Sequence, residues 1–280
     1  MSNAAEPVTA AASRTGARYT FDAGAAGKQR LDVLSQVLHP ATAALLDTAG
    51  VAPGLRCLDV GCGGGHVTCE LARRVAPAGH VVGVDLDADV LELAARDAAA
   101  AGVANLAFRR GDATAPPGDA YDVVYARFLL SHLTEPAAVT TAMARALAPG
   151  GVLITEDIDA TASFCAPHSA AFHWWVRLFR DAVHRRGGNP DIGPMLPSLL
   201  AGAGLTGIQV SVHQPAGVDG PVKQLVLQDL HRSVNAITTE GLASAAEVDQ
   251  LIRDFTDYVN DPATVVSCPR IMQTWAYAPG

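Results

Sequence analysis

The 280-residue chain is 49% hydrophobic and carries 28 acidic against 20 basic side chains, a formal charge of −8. That size and apolar content allow a full core with a sizeable appendage, and an acidic balance without a Lys/Arg block excludes nucleic acid as the expected substrate, because phosphates need clustered cations. No apolar run approaches the ~18 residues of a membrane span, and Met1 to Ala26 has neither the basic start nor the apolar stretch of a secretion signal. A cytoplasmic protein without a membrane partner is therefore expected. Cys57, Cys62, Cys69, Cys165 and Cys268 read as free thiols of a reducing compartment, and no metal site is expected.

In chain order, residues 1–16 are rich in Ala, Ser, Thr and Gly and are expected to form a mobile arm. In residues 17–50, Leu31, Leu34, Val37 and Leu38 recur at helical spacing, and a second helix is expected from Ala41 to Thr48, stopping at Gly50. A strand at Arg56-Cys57-Leu58 then enters Asp59-Val60-Gly61-Cys62-Gly63-Gly64-Gly65, followed by the helical run His66 to Ala72. Glycines at alternate positions make a tight βα turn whose backbone can approach a ligand closely. A dinucleotide fingerprint would put a glycine where His66 stands, which sets aside a nicotinamide-dependent reductase. Three further strands are expected: Val81 to Asp85, ending in a carboxylate; Leu106 to Arg110, running into Gly111-Asp112-Ala113; and Tyr121 to Arg127, followed by Phe128 to Leu133. Leu147 to Ile154 turns through Pro149-Gly150-Gly151 into a fifth.

The acidic-x-Gly-x-Gly-x-Gly loop and these ordered elements resemble the class I S-adenosylmethionine-dependent methyltransferases, most closely their small-molecule, quinone-biosynthesis-like branch. The resemblance covers residues 51–156 and implies a Rossmann-like, doubly wound, seven-stranded and mostly parallel α/β sheet. It also implies S-adenosyl-L-methionine as cofactor and S-adenosyl-L-homocysteine as product. In that family the loop (Gly61, Cys62, Gly63, Gly65) passes under the methionine part and the acidic residue, here Asp59, serves its ammonium. Asp85, with Leu86 beside it, would take the ribose diol, and Gly111, Asp112 and Ala113 the adenine. Arg127 and His132 join this set, and Tyr19 is the candidate aromatic of an N-terminal lid formed by residues 17–50.

Beyond the core, residues 157–193 and 215–266 read as helical inserts that form a cap over the carboxyl ends of the strands, where ligands of open α/β sheets bind. Phe172, Val176, Phe179 and Val183 mark one helix, Val226, Leu230, Val234 and Ile237 another, and Val248, Leu251, Ile252, Phe255, Tyr258 and Val259 a third, begun by the capping box Ser244-Ala245-Ala246-Glu247. Residues 194–214 supply the last core helix and strand six, and 267–280 the final strand. The cluster Arg177, Arg180, Arg185 and Arg186 reads as a solvated helix face or an anion site.

A sulfonium methyl is already activated, so such an enzyme mainly aligns its acceptor and excludes water. Where the acceptor is a hydroxyl or amine a general base helps, and Asp157 and His173 are the candidates. Glu156, His168, Trp174 and Trp175 are candidates for the substrate pocket. The expected activity is methyl transfer to O, N or C of a small-molecule acceptor in secondary metabolism, with a homodimer compatible with the sequence. The alternative is a protein that binds S-adenosylmethionine without transferring the methyl, as a sulfonium-assisted cyclase or a cofactor-gated binding protein.

Overall fold

The computed structural model describes residues 25–118 and 120–280, so the lid candidate Tyr19 lies outside the described residues. Its first element, α1 (Ala25–Thr48), is one helix, where a break was expected between Leu38 and Ala41. Pro40 lies inside it and removes the N–H that would bond the Gln36 carbonyl. The helix continues because both halves bury an apolar stripe: Val33, Leu34 and Leu38 before the proline, Leu45 and Leu46 after it.

Strands β1 (Arg56–Val60), β2 (His80–Asp85) and β3 (Leu106–Arg110) alternate with helices α2 (His66–Val75) and α3 (Ala88–Ala100). β4 (Tyr121–Arg127), α4 (Pro136–Arg145) and β5 (Leu147–Asp159) follow, the last continuing past the boundary expected at residue 156. β1 and β2 are buried along nearly their whole length, the pattern of strands covered on both faces by crossover helices.

The next elements are the two-residue β6 (Cys165–Ala166), α5 (Ala170–Arg185), α6 (Leu196–Gly202), β7 (Thr206–His213) and β8 (Ala216–Gly217). The chain closes with α7 (Gly220–Thr239), α8 (Ala245–Asn260), β9 (Val265–Ser267) and β10 (Arg270–Tyr277). The main sheet has the order β3-β2-β1-β4-β5-β10-β7. β1 runs parallel to β2 and β4, and β10 is inserted antiparallel between β5 and β7. The strand order reverses between β1 and β4, the switch point beside which open α/β sheets bind ligands.

One face of this sheet packs the second half of α1 and α2 through Leu46, Leu71, Tyr125 and Trp275. The other packs α4 and α6 through Met143, Leu153, Leu196 and Leu200. A further core is formed by the first half of α1 with α5, α7 and α8, centred on Phe172, Trp175, Leu230, Ile237 and Phe255. These helices come from segments far apart in the chain. The segments that carry α5, α7 and α8 are tied by a second sheet of order β6-β9-β8, which the sequence pattern does not announce because its strands are two or three residues long. The capping box of α8 forms as expected, Ser244 and Glu247 exchanging hydrogen bonds at 3.3 and 2.8 Å.

Candidate active site

A cavity of about 390 Å³ runs from the glycine loop to the space beneath the cap helices. The end of β2 shapes the loop: the Gly61 and Cys62 N–H groups both donate to the Val84 carbonyl (2.8 and 3.0 Å), and the Gly63 N–H donates to an Asp85 carboxylate oxygen (2.9 Å). Gly61 and Gly63 have φ of +73° and +49°, a region that L side chains rarely occupy. Both line the cavity.

The other Asp85 oxygen accepts the Asp87 N–H at 3.0 Å, and Asp87, not Asp85, caps α3. Burial raises the Asp85 pKa, only partly offset by these N–H donors. Asp59 is 2% exposed, and burial pushes its carboxyl up to about 6 against the hydrogen bond from the Thr68 hydroxyl (2.6 Å) and the nearby Arg127 guanidinium. Asp112 accepts both the N–H and the hydroxyl of Thr114, at 2.9 and 2.8 Å. Asp59, Asp85, Leu86, Gly111, Asp112, Ala113, Arg127 and His132 all line the cavity. His132 sits in a turn of 3-10 helix after β4, where desolvation and, secondarily, the Arg30 charge push its imidazole down to about 4.

Several expected residues lie elsewhere. Gly65 does not line this cavity: a Cβ there would come within 2.6 Å of Phe108 and 3.0 Å of Ala94, so this glycine lets α2 start against β3 and α3. Glu156 points away from the cavity into a buried network with Thr42 (2.9 Å), Gln273 (2.8 Å) and the Tyr125 hydroxyl. Asp157 is also outside the cavity wall; its carboxylate accepts the Ser131 N–H (3.0 Å) and holds the turn that carries His132, and burial pushes its pKa up to about 6. His168 and His173 stack at 4.9 Å on the exposed start of α5, and neither lines the cavity. A general base at Asp157 or His173 is therefore not supported by position. Of the tryptophan pair, only Trp175 reaches the cavity; adjacent helical positions point about 100° apart, and Trp174 is half-buried against the cap core instead.

The structure adds residues that the sequence alone does not single out. Arg30 of α1 pairs with Asp229 of α7 across the cavity, and Arg232 lies one turn further along α7. Leu225, Cys268 and Ile271 complete the wall on that side. The available signal was a pair of opposite charges, Asp229 and Arg232, beside the stripe Val226, Leu230. That they face inward depends on α1, which packs on α7 from far away in the chain. Among the described residues, no group of three or more His, Cys, Asp or Glu is arranged to hold a metal ion, and no helix is long and apolar enough to cross a membrane.

Residues 52–180 match the protein family described as "Methyltransferase domain". Over 118 residues the chain is 36% identical to nocamycin O-methyltransferase of Saccharothrix syringae, covering 41% of this chain and 42% of that protein. It is 34% identical over 125 residues to the ubiquinone biosynthesis O-methyltransferase of Hahella chejuensis, covering 44% and 51%. The chain thus spans about half the length of these relatives. Among solved structures, YcgJ of Bacillus subtilis superposes with a TM-score of 0.58 at 17% identity, covering 86% of this chain and 99% of that one. The [4+2]-cyclase SpnF superposes with a TM-score of 0.52 at 20% identity, covering 88% and 82%. Likeness at these identities concerns the fold.

Proposed function

We propose that the chain, whose residues 52–180 match a methyltransferase domain, is a class I S-adenosylmethionine-dependent methyltransferase that transfers a methyl group to an oxygen of a small-molecule acceptor held beneath the cap. The observation that carries this reading is a cavity with acidic side chains at the ends of three successive strands, Asp59, Asp85 and Asp112, that continues into a mostly apolar chamber under α1, α5 and α7.

The residues fit the cofactor. Gly61 and Gly63 leave the loop without side chains where it borders the cavity, and the four carboxylates of Asp59, Asp85, Asp87 and Asp112 face it with Arg127 as their cationic counterpart. Asp59 and Arg127 suit the ammonium and carboxylate of an amino acid, Asp85 a vicinal diol, and Asp112 with the Ala113 N–H an adenine edge. The excess of negative charge suits a sulfonium. When bound, S-adenosylmethionine supplies a methyl already activated for attack.

What remains for the chain is alignment and exclusion of water. Leu34, Trp175, Val176, Phe179, Leu225 and Ile271 supply a wall that holds an acceptor by burial. His132 is unprotonated at neutral pH and can accept a hydrogen bond from an acceptor hydroxyl, but with its pKa near 4 it is a weak base. Likeness to the named O-methyltransferases supports oxygen as the acceptor atom. The five free cysteines, two of them buried, support residence in the cytoplasm.

The test is incubation of the purified chain with S-adenosylmethionine and a panel of hydroxylated apolar compounds. A methylated product formed in step with S-adenosylhomocysteine is expected. Cofactor binding with no methylated product from any acceptor would favour the non-transferring alternative, and absence of cofactor binding by calorimetry would overturn the reading altogether.

A further inference from the structure

Arg127, which suits the carboxylate of the cofactor's amino-acid part, is held from behind the cavity wall. It lies in one register row with Glu156, Gln273 and Ser211, across β4, β5, β10 and β7. Arg127 lines the cavity, and the other three lie outside it. Those three are joined to one another. The Ser211 hydroxyl donates to Gln273 Oε1 (2.7 Å), and Gln273 Nε2 donates to one Glu156 oxygen (2.8 Å). The second Glu156 oxygen accepts the hydroxyls of Tyr125 and, at 2.9 Å, Thr42. Glu156 and Thr42 are both 2% exposed, so this is a buried carboxylate supplied with donors on each oxygen. Thr42, on α1, connects the row to the cavity: its hydroxyl oxygen accepts from Arg127 Nη1 at 3.3 Å. A threonine hydroxyl has one proton and two lone pairs, whereas a guanidinium only donates. With its proton committed to Glu156, Thr42 presents a lone pair to Arg127. The direction of that bond is therefore set by a carboxylate that does not touch the cavity.

We propose that Thr42 and Glu156 are positioning residues for the amino-acid end of the cofactor: neither touches the ligand, and together they hold the Arg127 guanidinium at the angle at which it meets the carboxylate. Planar, bidentate recognition of a carboxylate rewards such fixing, because a guanidinium that swings loses one of its two parallel bonds. A network that only stabilised the core would affect every ligand of the cavity alike. One that aims Arg127 affects only ligands that carry the amino-acid part. Because Thr42 belongs to α1, whose first half walls the cavity, the grip on that part also depends on how the helix is seated. This inference deepens the methyltransferase reading and rests on its assignment of Arg127.

The test is calorimetry on the full chain with two thioethers, S-adenosylhomocysteine and methylthioadenosine, which share the adenosine half and differ in the amino-acid part. The wild type should bind S-adenosylhomocysteine at least about tenfold more tightly. Thr42→Val, which keeps the shape and removes the hydroxyl, should cut that preference about fivefold or more while the Kd for methylthioadenosine stays within about twofold. Thr42→Ser should restore the preference. Glu156→Gln, which weakens the acceptor that takes the Thr42 proton, should shift it in the same direction as Thr42→Val, and it decides the matter if the valine variant does not fold. Arg127→Met should remove most of the preference, and adding Thr42→Val to it should cost little more, because both act through one contact. Equal weakening of both ligands, an unchanged preference in folded Thr42→Val or Glu156→Gln, or a full second loss in the double variant overturns the inference. Failure of the wild type to bind S-adenosylhomocysteine, or a preference that Arg127→Met leaves intact, sinks the cofactor reading of the site and the inference with it.

Discussion

Replacing Asp85 separates ligand binding from loop architecture, because its two oxygens already accept the Gly63 and Asp87 N–H groups at 2.9 and 3.0 Å. A carboxylate offers about four lone-pair sites, so two remain for a ribose diol. Hydrogen bonds to a charged group contribute about 1.5–3 kcal/mol each. At about 1.4 kcal/mol per factor of ten, losing one such bond in Asp85→Ala should raise the Kd for S-adenosylhomocysteine by roughly 10- to 150-fold. The alanine variant also releases the Gly63 N–H, so the melting temperature should fall by a few degrees, at about 2–4 °C per kcal/mol for a chain of this size class. Asp85→Asn keeps one acceptor oxygen but turns its NH2 toward the other backbone N–H, so it too should melt a few degrees below the wild type and bind the cofactor at least about tenfold more weakly. Calorimetry and thermal unfolding on both variants give the answer. A folded alanine variant with a Kd within about twofold of wild type would refute the assignment of Asp85 to the cofactor.

Gly63→Val should abolish cofactor binding, since a β-branched residue resists φ of +49° and fills the face of the loop that borders the cavity, as titration with S-adenosylhomocysteine would show. Gly65→Ala should instead lower the melting temperature, through a Cβ forced to within 2.6 Å of Phe108; a variant with wild-type stability but no cofactor affinity would reverse that division of roles. Trp175→Ala removes a side chain that packs on Phe172 and Phe255 and whose indole N–H donates to Ser233 (3.1 Å), so a loss of about 3–5 kcal/mol is expected in denaturant unfolding, with Trp175→Phe costing less. The buried Asp157, with a folded pKa near 6 against 3.8 unfolded, takes up its proton earlier on acidification in the native state. It therefore adds stability as pH falls from about 6 to 4, by at most roughly 3 kcal/mol. Asp157→Asn should lack that gain, and parallel unfolding curves for variant and wild type across this window would contradict it.

The glycine loop, Asp59, Asp85 and Asp112 were legible because each lies at the end of a strand whose position the local pattern fixes, and strand ends in a parallel sheet all open on one edge. The cap was legible as helices but not as a chamber. Whether Trp174 or Trp175 faces inward depends on the rotation of α5, and that is set by Phe255 of α8 and Ser233 of α7, which no local periodicity reveals. The acidic run at the end of β5 misled in the same way. Glu156 and Asp157 lie at the right end of the sheet, yet one is held by Thr42 and Gln273 and the other by the Ser131 N–H. Two helices were expected before Gly50, and the stripe burying Leu38 and Leu45 instead carries α1 through Pro40 despite the backbone donor that the proline removes.

The path of α1 through Pro40 makes that helix a cantilever. Beyond the proline it is bolted to the core: Thr42 donates to Glu156 at 2.9 Å, and the Ala43 carbonyl accepts from Arg74 at 3.1 Å. Before the proline it is held by the buried side chains of Val33, Leu34 and Leu38, by the pairs Arg30 with Asp229 and Asp32 with His66 (2.8 Å), and by Leu31 lying over the glycine loop. The backbone rung that Pro40 cannot form falls at the root of this half. Bending there would leave the second half of the helix in place but would have to separate both polar pairs and lift the buried stripe from the cap helices. The same half carries Arg30 and Leu31, so the stretch of helix that would have to move is also the stretch that touches both ends of the cavity.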